Sequence, residues 1–565
     1  MIDDIGWNDI GYQSTDLEGV TPNLDKLAAG GVKLTNYYSM AICTPARASL
    51  MTGRYAVRYG LQYKVIDAGE PWALPVAEKA SQIATIFPEY MKDAGYETHM
   101  VGKWHLGSYS HDTIPSRRGF DTFLGYLNGE EMYWTHQDAA CRLNGRKFLD
   151  FGFGNSSGYY NIIDRPLFDD DDIGPLSDDG GDDDGEVLSP TSTISSSWRV
   201  HANWTKAVGQ YSTQIFQDRA VAILEEKTPF DEEPLYMYLS HQAVHPPLGL
   251  PPPGCFSAEE VAILEKVKAN SNEDGHLRHR FAQVLMYLDR TIGDLVDYLE
   301  REGWMENSVI IIASDNGGCY ADGGCNYPLR GNKSDYWEGG HKVPAFIYSR
   351  SHIPMERWGT KYDGMMHVTD WLPTIASGTG IHLDGGAGPL DGIDQWDYIL
   401  HVKGTGESGS PRKEMLYNFD PYTLLEDDSH RVQGGGHPLV QGAFRSGKYK
   451  FLWNAYCAGW YSFHESELLE DPLMNNRTVC DGSSCSCCAG DVCTNNFDYL
   501  FDLEADPREE RNLIAVHPEI AEALRSRMTE VALEEWTDSA YVGVDTRSYY
   551  VWATYNWWMV PWWNL

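Results

Sequence analysis

Three things are scarce in this sequence: long apolar runs, positive charge and an apolar leader. No stretch of about 18 consecutive apolar residues occurs, so no transmembrane helix is expected. Lysine and arginine number 44 against 82 acidic residues, a formal net charge of −38. That balance excludes nucleic-acid binding, which needs a basic footprint. It serves solubility, and it means that an anionic substrate needs a local cationic pocket, with salt screening the rest of the field. The paired CxxC…CxxC spacing and the nearby HxxxH of a zinc site are also missing. The chain opens at "MIDDIGWND" with almost no apolar lead, so no signal peptide is expected within it.

What is there is ample core. The 565 residues suggest roughly three or four domains as a soft prior, although a large α/β unit absorbs more. A hydrophobic fraction of 42% and 19 Trp suffice for a large buried interior. The aromatic tail "YYVWATYNWWMVPWWNL" is broken by Asn, Thr and Pro, and is expected to pack on the body rather than anchor a membrane. Of 11 cysteines, six fall between Cys457 and Cys493. They fit disulfides in an oxidising compartment better than zinc. Cys319 with Cys325 and Cys141 with Cys255 are two further candidate pairs, with connectivity not readable from spacing. The sequons at Asn155, Asn203 and Asn476 agree with secretion, each weakly.

Along the chain, "TPNLDKLAAGG" predicts a short helix with Thr21 as N-cap, Pro22 at its first position and Gly30-Gly31 as its stop. "GVKLTNYYS" then predicts a strand. The same plan recurs from "SQIATIFPEYMKDAGYETHMVGKWHLG", and "FAQVLMYLDRTIGDLVDYLEREGW" predicts a helix ahead of the buried strand "SVIIIASDNGG". Helices alternating with apolar strands predict an α/β fold with a large, mostly parallel sheet flanked by helices. The acidic, glycine-rich stretch 168–190 predicts a solvated loop; calcium binding is the sharper reading, but EF-hand spacing is absent. After about Lys413 short strands and a helix opened by Pro518 predict a smaller, Cys-rich antiparallel α+β domain. The expected division is 1–413 and 414–565.

In open α/β sheets, ligands bind beyond the carboxyl ends of the strands. Those ends carry Asp3 and Asp4, Lys103 and His105, His241 and His245, and Asp315 and Asn316, with Lys333 in a following loop. Asp3, Asp4, Asp315 and Asn316 are hard oxygen ligands suited to Ca²⁺ or Mg²⁺. Arg47, Lys103, His105, His245 and Lys333 suit an oxyanion. Taken singly, an Asp pair after a strand is often a turn or cap, "SDNGG" is often a turn, and His241 can serve to satisfy backbone groups. Their joint occurrence at strand ends favours one site.

Cys43 stands apart from the other cysteines, ahead of "TPAR" and a helix expected to begin at Pro45. The positive end of a helix dipole would lower its thiol pKa and favour a thiolate nucleophile. A buried structural cysteine is the competing reading. A tyrosine-phosphatase arrangement fails, because the sixth residue after Cys43 is Ser49 rather than arginine.

Cys43-Thr-Pro-Ala-Arg47 with "ASLMTGRY" resembles the Cys-x-Pro-x-Arg motif of the type I sulfatases. "DDIGWND", "TPNLDKLAAGGVKLTNYY", "GKWHLG", "AVHPP", "SDNGG", "LRGNKSDYWEGG" and "FDLEADPREERNL" resemble that family's blocks in order, from Asp3 to Leu513. "HVTDWLPTI" and "PLDGIDQW" bring the chain near the animal arylsulfatase B group, whose best-known member is N-acetylgalactosamine-4-sulfatase. The resemblance implies an alkaline-phosphatase-like fold and conversion of Cys43 to Cα-formylglycine by a formylglycine-generating enzyme in the secretory pathway. It implies that one hydroxyl of the hydrated aldehyde attacks sulfur and the second later expels sulfate. It implies Ca²⁺ on Asp3, Asp4, Asp315, Asn316 and residue 43. Arg47 would steady the hydrate, Lys103 would bind hydrate and sulfate, and His105 would act as base. Lys333 and His245 would bind sulfate, with His245 as general acid; His241 has no family counterpart.

The expectation is a sulfuric ester hydrolase acting on a sulfated carbohydrate or aryl sulfate, lysosomal or extracellular. The alternatives are a phosphate or phosphonate monoester hydrolase of the same fold, and a non-catalytic binder of sulfated glycans. Family members carry a full apolar strand before the Asp pair, where this sequence has only Met1-Ile2. That difference implies an incomplete N-terminus and a weakened Asp3–Asp4 site.

Overall fold

A computed structural model describes residues 1–62, 64–75, 85–143, 146–155, 158–161, 207–271, 275–383, 389–400, 409–420, 441–455, 458–463, 497–534, 536–537, 544–554, 559 and 561–563. The acidic stretch 168–190, Asn203, Asn476 and the six cysteines from Cys457 to Cys493 lie outside them. So do the two residues that follow Asn155 in its sequon.

Nine strands build the core sheets: β1 (Val32–Leu34), β2 (Glu97–Lys103), β3 (Thr122–Tyr126), β4 (Gly152–Asn155), β5 (Gly158–Asn161), β6 (Leu235–Ser240), β7 (Ile310–Ala313), β8 (Ala345–Tyr348) and β9 (Lys361–Tyr362). One sheet has the order β5-β4-β3-β2-β6 and the other β7-β8-β1-β9. β2 runs parallel to β3 and β6 (His99 opposite Thr122, Glu97 opposite Leu235), whereas β4 and β5 are antiparallel. In the second sheet β8 is antiparallel to both neighbours, and β9 is parallel to β1.

The first two residues join these sheets. Ile2 forms a parallel bridge with Ser314 and donates to the Ala313 carbonyl at 3.0 Å. The Met1 ammonium donates to the Leu239 carbonyl at 2.8 Å, and the His241 amide donates to the Met1 carbonyl at 3.1 Å. Parallel pairing is therefore concentrated at the centre, and the carboxyl ends of β2, β6 and β7 open beside the Asp3–Asp4 pair.

Strand residues alternate between faces, so neighbours in sequence enter different cores. Met100, Phe123 and Ile347 join one cluster, with Ala46, Leu50 and Met51 of helix α2 (Cys43–Thr52) and with Phe87 and Tyr90 of the 87–93 helix. Their neighbours Val101 and Leu124 pack on Ile215 and Phe216 of the 212–225 helix. Phe346 packs on helix α1 (Pro22–Gly30) and on the 27-residue helix Gly275–Arg301. Gly102 makes the close approach of β2 and β6 feasible: its φ is 103°, and a Cβ there would lie 1.8 Å from the Ser240 carbonyl oxygen.

Thr21 is the N-cap of α1, but its side chain does not cap. Its hydroxyl accepts from the Gly11 amide and donates to Asp25. The free N–H groups of Asn23 and Leu24 are taken instead by Asp289 of the long helix, a partner supplied by tertiary packing.

The later strands β10 (Glu414–Asp420), β11 (Gln441–Ser446), β12 (Tyr449–Ala455) and β13 (Phe497–Asp502) form an antiparallel sheet in chain order, against which helix α3 (Pro518–Leu533) packs. The tail folds back as expected: Trp552, Met559 and Trp562 are buried beside Phe148 and Leu149. No helix among the described residues is long and apolar enough to cross a membrane.

The two disulfide pairs expected among the described cysteines do not form. Cys141, Cys255, Cys319 and Cys325 are free thiols. The Cys141 sulfur faces the Ala68 carbonyl and the Tyr549 hydroxyl, while Cys255 packs by its neighbour Phe256 against the long helix. Cys325 directs its sulfur to Asn8 and the Tyr461 carbonyl.

Candidate active site

Helix α2 begins at Cys43 itself, two residues before Pro45, and all ten of its residues are buried. Gly53 ends it in the left-handed region (φ 66°), as a helix C-terminus favours. The Cys43 sulfur lies 3.9 Å from Asp3 Oδ1. Ligand atoms of Asp3, Asp4, Cys43 and His245 lie within 4.8 Å of one another.

Three cations hold the acids in place. Lys103, at the end of β2, places Nζ 2.6 Å from Asp3 Oδ2. Lys333 places Nζ 2.8 Å from Asp4 Oδ2. Arg47, four residues along α2 from Cys43, grips Asp315 Oδ2 with Nε at 3.1 Å and Nη2 at 2.8 Å, and Nη2 is 3.5 Å from Asp3 Oδ1. Its Nη1 donates to Ser240 Oγ at 2.5 Å and to the Lys103 carbonyl at 3.2 Å. Asp3, Arg47, Lys103, Asp315 and Asn316 are fully buried, so the charges make sense only as a compensated set.

Asp315 also accepts the Asp4 amide at 3.2 Å, and Asn316 Nδ2 donates to Asp4 Oδ1 at 2.7 Å. Asn316 Oδ1 is buried with no hydrogen-bond partner among the described residues. A lone buried acceptor beside three carboxylates is what an oxygen-seeking cation requires, so the residues present fit Ca²⁺ or Mg²⁺.

His105 and His245 border the acids. The His105 ring sits 3.2 Å from the Ile66 carbonyl through Nε2, and its buried Nδ1 has no partner. Gly129 makes room for that ring: a Cβ there would lie 2.8 Å from it. His245 Nδ1 is 2.5 Å from the Pro246 carbonyl, and Nε2 is 3.9 Å from Asp4 Oδ2. Burial, then Lys103 and Arg47, drive the His105 pKa well below its ordinary value. Burial, then Lys333 and Lys103, do the same to His245. Both rings are therefore neutral, each with one nitrogen tied to a carbonyl; the other is bare in His105 and faces Asp4 in His245. Asp4 and His105 have φ of 60° and 57°, a conformation that non-glycine residues adopt at a cost.

Burial raises Asp4, but Lys333 and His245 more than offset it and hold its carboxyl below the usual range. Burial and the neighbouring Asp3 raise Asp315. For Lys333, burial opposes charge, yet Asp4 holds its ammonium well above the ordinary lysine value. The expectation for Cys43 is overturned. Burial, helped by Asp3 and Asp315, outweighs Lys103 and Lys333 and pushes the thiol up to about 12, so it is no thiolate at neutral pH.

All ten sequence-derived residues thus meet in one pocket: Asp3, Asp4, Cys43, Arg47, Lys103, His105, His245, Asp315, Asn316 and Lys333. His241 does not join them. Its two ring nitrogens have no partner among the described residues, contrary to the expected backbone role, and its ring packs on Phe216. Sequence reasoning missed Ser240, which braces Arg47, Ser39, whose hydroxyl donates to the Asp315 carbonyl at 2.5 Å, and Gly129. Ser240 does close the apolar run of β6, a signal open to detection.

A family model described as Sulfatase matches residues 1–381. Arylsulfatase J of Mus musculus is 33% identical over 533 residues, covering 94% of this chain and 74% of that protein. Arylsulfatase A of Homo sapiens is 28% identical over 535 residues, covering 93% and 85%. The crystal structure of Ps i-CgsB in complex with k-i-k-neocarrahexaose superposes with a TM-score of 0.65 at 21% identity, covering 98% of this chain and 96% of that one. That structural likeness carries the fold.

Proposed function

Because the chain belongs to the sulfatase family and is a sulfuric ester hydrolase, we propose that it removes sulfate from a sulfated carbohydrate such as N-acetylgalactosamine 4-sulfate, using formylglycine at residue 43 and one Ca²⁺. The observation that carries the reading is the meeting of Asp3, Asp4, Asp315 and the unpartnered Asn316 oxygen with Cys43 in a pocket lined by Arg47, Lys103 and Lys333. The thiol pKa, raised by burial, argues against Cys43 acting as a thiolate nucleophile.

Formylglycine, once formed by its generating enzyme in the secretory pathway, supplies a hydrated aldehyde with two hydroxyls on one carbon. Asp3, Asp4, Asp315, Asn316 and residue 43 would hold calcium, which would supply Lewis-acid polarisation of sulfate oxygens. The chain's own groups do the rest. Asp3, Asp4 and Asp315 are paired with Lys103, Lys333 and Arg47 respectively. Lys103 and Lys333 reach one carboxylate each and can hand their N–H donors to sulfate oxygens. Arg47 fixes Asp315 and the residue-43 turn of α2. His105, neutral with a bare Nδ1, is the group able to take a proton. His245 faces Asp4 through Nε2; the added charge of a bound sulfate ester favours protonation there and makes it the acid.

The test is turnover by the converted protein of 4-nitrophenyl sulfate, 4-nitrophenyl phosphate and N-acetylgalactosamine 4-sulfate. Sulfate esters turned over well above the phosphate ester, with activity lost on chelation and restored by Ca²⁺, support the reading. Preference for the phosphate ester overturns it in favour of a phosphate or phosphonate monoester hydrolase. Binding of sulfated sugar without sulfate release overturns catalysis altogether.

A further inference from the structure

Lys333 lies on a loop of irregular backbone, held at one end by segments that follow strands β12 and β13 and at the other by strands β10 and β12 themselves. Three residues before it, Arg330 donates from Nε to the Ala458 carbonyl at 2.8 Å and from Nη1 to the Glu509 carbonyl at 2.9 Å. Its guanidinium stacks 3.7 Å from the Trp337 ring and 4.6 Å from Trp460. Five residues after Lys333, Glu338 accepts from the Tyr417 hydroxyl at 2.8 Å and from Lys450 Nζ at 3.0 Å on Oε1. Glu338 Oε2 accepts from the Tyr38 hydroxyl, and the Glu338 amide donates to Glu509 Oε2 at 2.8 Å. Lys450 also reaches Glu509 Oε1 at 2.8 Å. Between the two clamps, the Lys333 and Ser334 amides bond to the Gly318 and Ala41 carbonyls, beside the acid cluster and residue 43.

Lys450 is fully buried, and so is Glu509, with Glu338 nearly so. Burying such charges is a poor route to stability, because desolvation offsets most of the attraction and a well-packed apolar residue serves as well. What the ion set provides is direction. Lys450 is the cation bonded directly to both Glu338 and Glu509, with Lys342 and Arg445 adding to the field on Glu338, and this seat fixes the registry of the loop that ends in Glu338.

We propose that Lys450 is a positioning residue for the sulfate pocket, acting through Glu338 on Lys333, so that the C-terminal sheet is a working part of the active site. The proposal rests on the reading of Lys333 as a sulfate-binding group. Tyr417 belongs to the same device, and its removal leaves every charge paired.

The experiment is titration calorimetry of the full chain with inorganic sulfate, comparing wild type, Lys450→Met, Tyr417→Phe, Lys333→Ala and the two double variants carrying Lys333→Ala. The expected result is sulfate affinity weakened by about threefold or more in Tyr417→Phe and further in Lys450→Met. Neither change should have an added effect once Lys333 is alanine, the signature of coupled sites. Folded variants that bind sulfate as wild type does, or that weaken it equally without Lys333, overturn the proposal. If Lys450→Met does not fold, Tyr417→Phe decides alone. A Lys333→Ala protein with wild-type sulfate affinity overturns the reading of Lys333 and the proposal with it.

Discussion

Arg47 is the side chain on which the acid cluster depends. Its guanidinium faces Asp315 and Asp3, and all three side chains are fully buried. Removing one partner of a buried pair leaves an uncompensated charge, which costs about 3–5 kcal/mol. Arg47→Ala is expected to lower stability by that amount in chelator, and by less with excess Ca²⁺, since a bound cation relieves the same carboxylates. Denaturant unfolding with and without Ca²⁺ reads both effects; a loss under about 1 kcal/mol in chelator contradicts the assignment. Arg47→Lys keeps the charge but cannot span Asp315, Ser240 and the Lys103 carbonyl together, so its activity is expected to fall at least about tenfold while much of the stability remains. At this scale the sequence named the residues but misjudged one of their states. Lys103 and Lys333 favour the Cys43 thiolate, but the larger desolvation depends on neighbours that only folding brings in.

Among the elements, the two-residue N-terminal segment does the most for its length. Ile2 bridges to Ser314, is 2% exposed, and leads straight into Asp3 and Asp4. Ile2→Ala is expected to cost about 2–4 kcal/mol through the cavity it leaves and to weaken Ca²⁺ binding as the Asp pair loosens. Val32→Ala, in β1 away from the pocket, is expected to cost a similar amount of stability with Ca²⁺ affinity unchanged. Parallel unfolding and Ca²⁺ titrations separate the two, and equal Ca²⁺ affinities contradict the link. Strand ends were legible because each is where an apolar run stops: "THMVG" gives way to Lys103, and "IIIAS" to Asp315. The two-residue β9 had no such signal. Asp289 as the cap of α1 and Lys450 beneath Glu338 were not legible, because each contact spans more than a hundred residues and follows no periodicity.

Over the whole molecule, buried titratable groups fall into two opposed sets. Asp9, Asp138 and Asp150 are raised to about 6, and Asp289 and Asp335 to about 7, all chiefly by burial. A carboxyl whose folded pKa exceeds its unfolded value binds more protons when folded, so it adds stability at low pH that is lost as pH rises through about 6–7. His241 and His341 are lowered to about 3 by burial, and His367, His105 and His245 are also depressed. A depressed imidazole binds fewer protons when folded, so it destabilises as pH falls below about 6.5. From pH 8 to about 6.5 the carboxyl set acts ahead of the imidazoles, opposed by the Met1 ammonium that burial lowers to about 5, and below that the carboxyl and imidazole sets offset each other. Partial neutralisation of the −38 charge adds to the acid side. The thermal midpoint is therefore expected to rise from about pH 8 to 6.5 and to hold nearly level down to about pH 5. A midpoint falling steadily from pH 8 to pH 5 contradicts this balance.

The central claim is that the pocket is built around a converted residue 43 and not around a thiol. The most direct measurement is the mass of the peptide containing residue 43, taken from the protein expressed in a host that makes formylglycine, with a known sulfatase converted in the same cells as control. The account predicts an aldehyde at residue 43 in the fraction that releases sulfate. An unmodified Cys43 thiol in protein that still hydrolyses sulfate esters, or an aldehyde in protein that hydrolyses none, contradicts it.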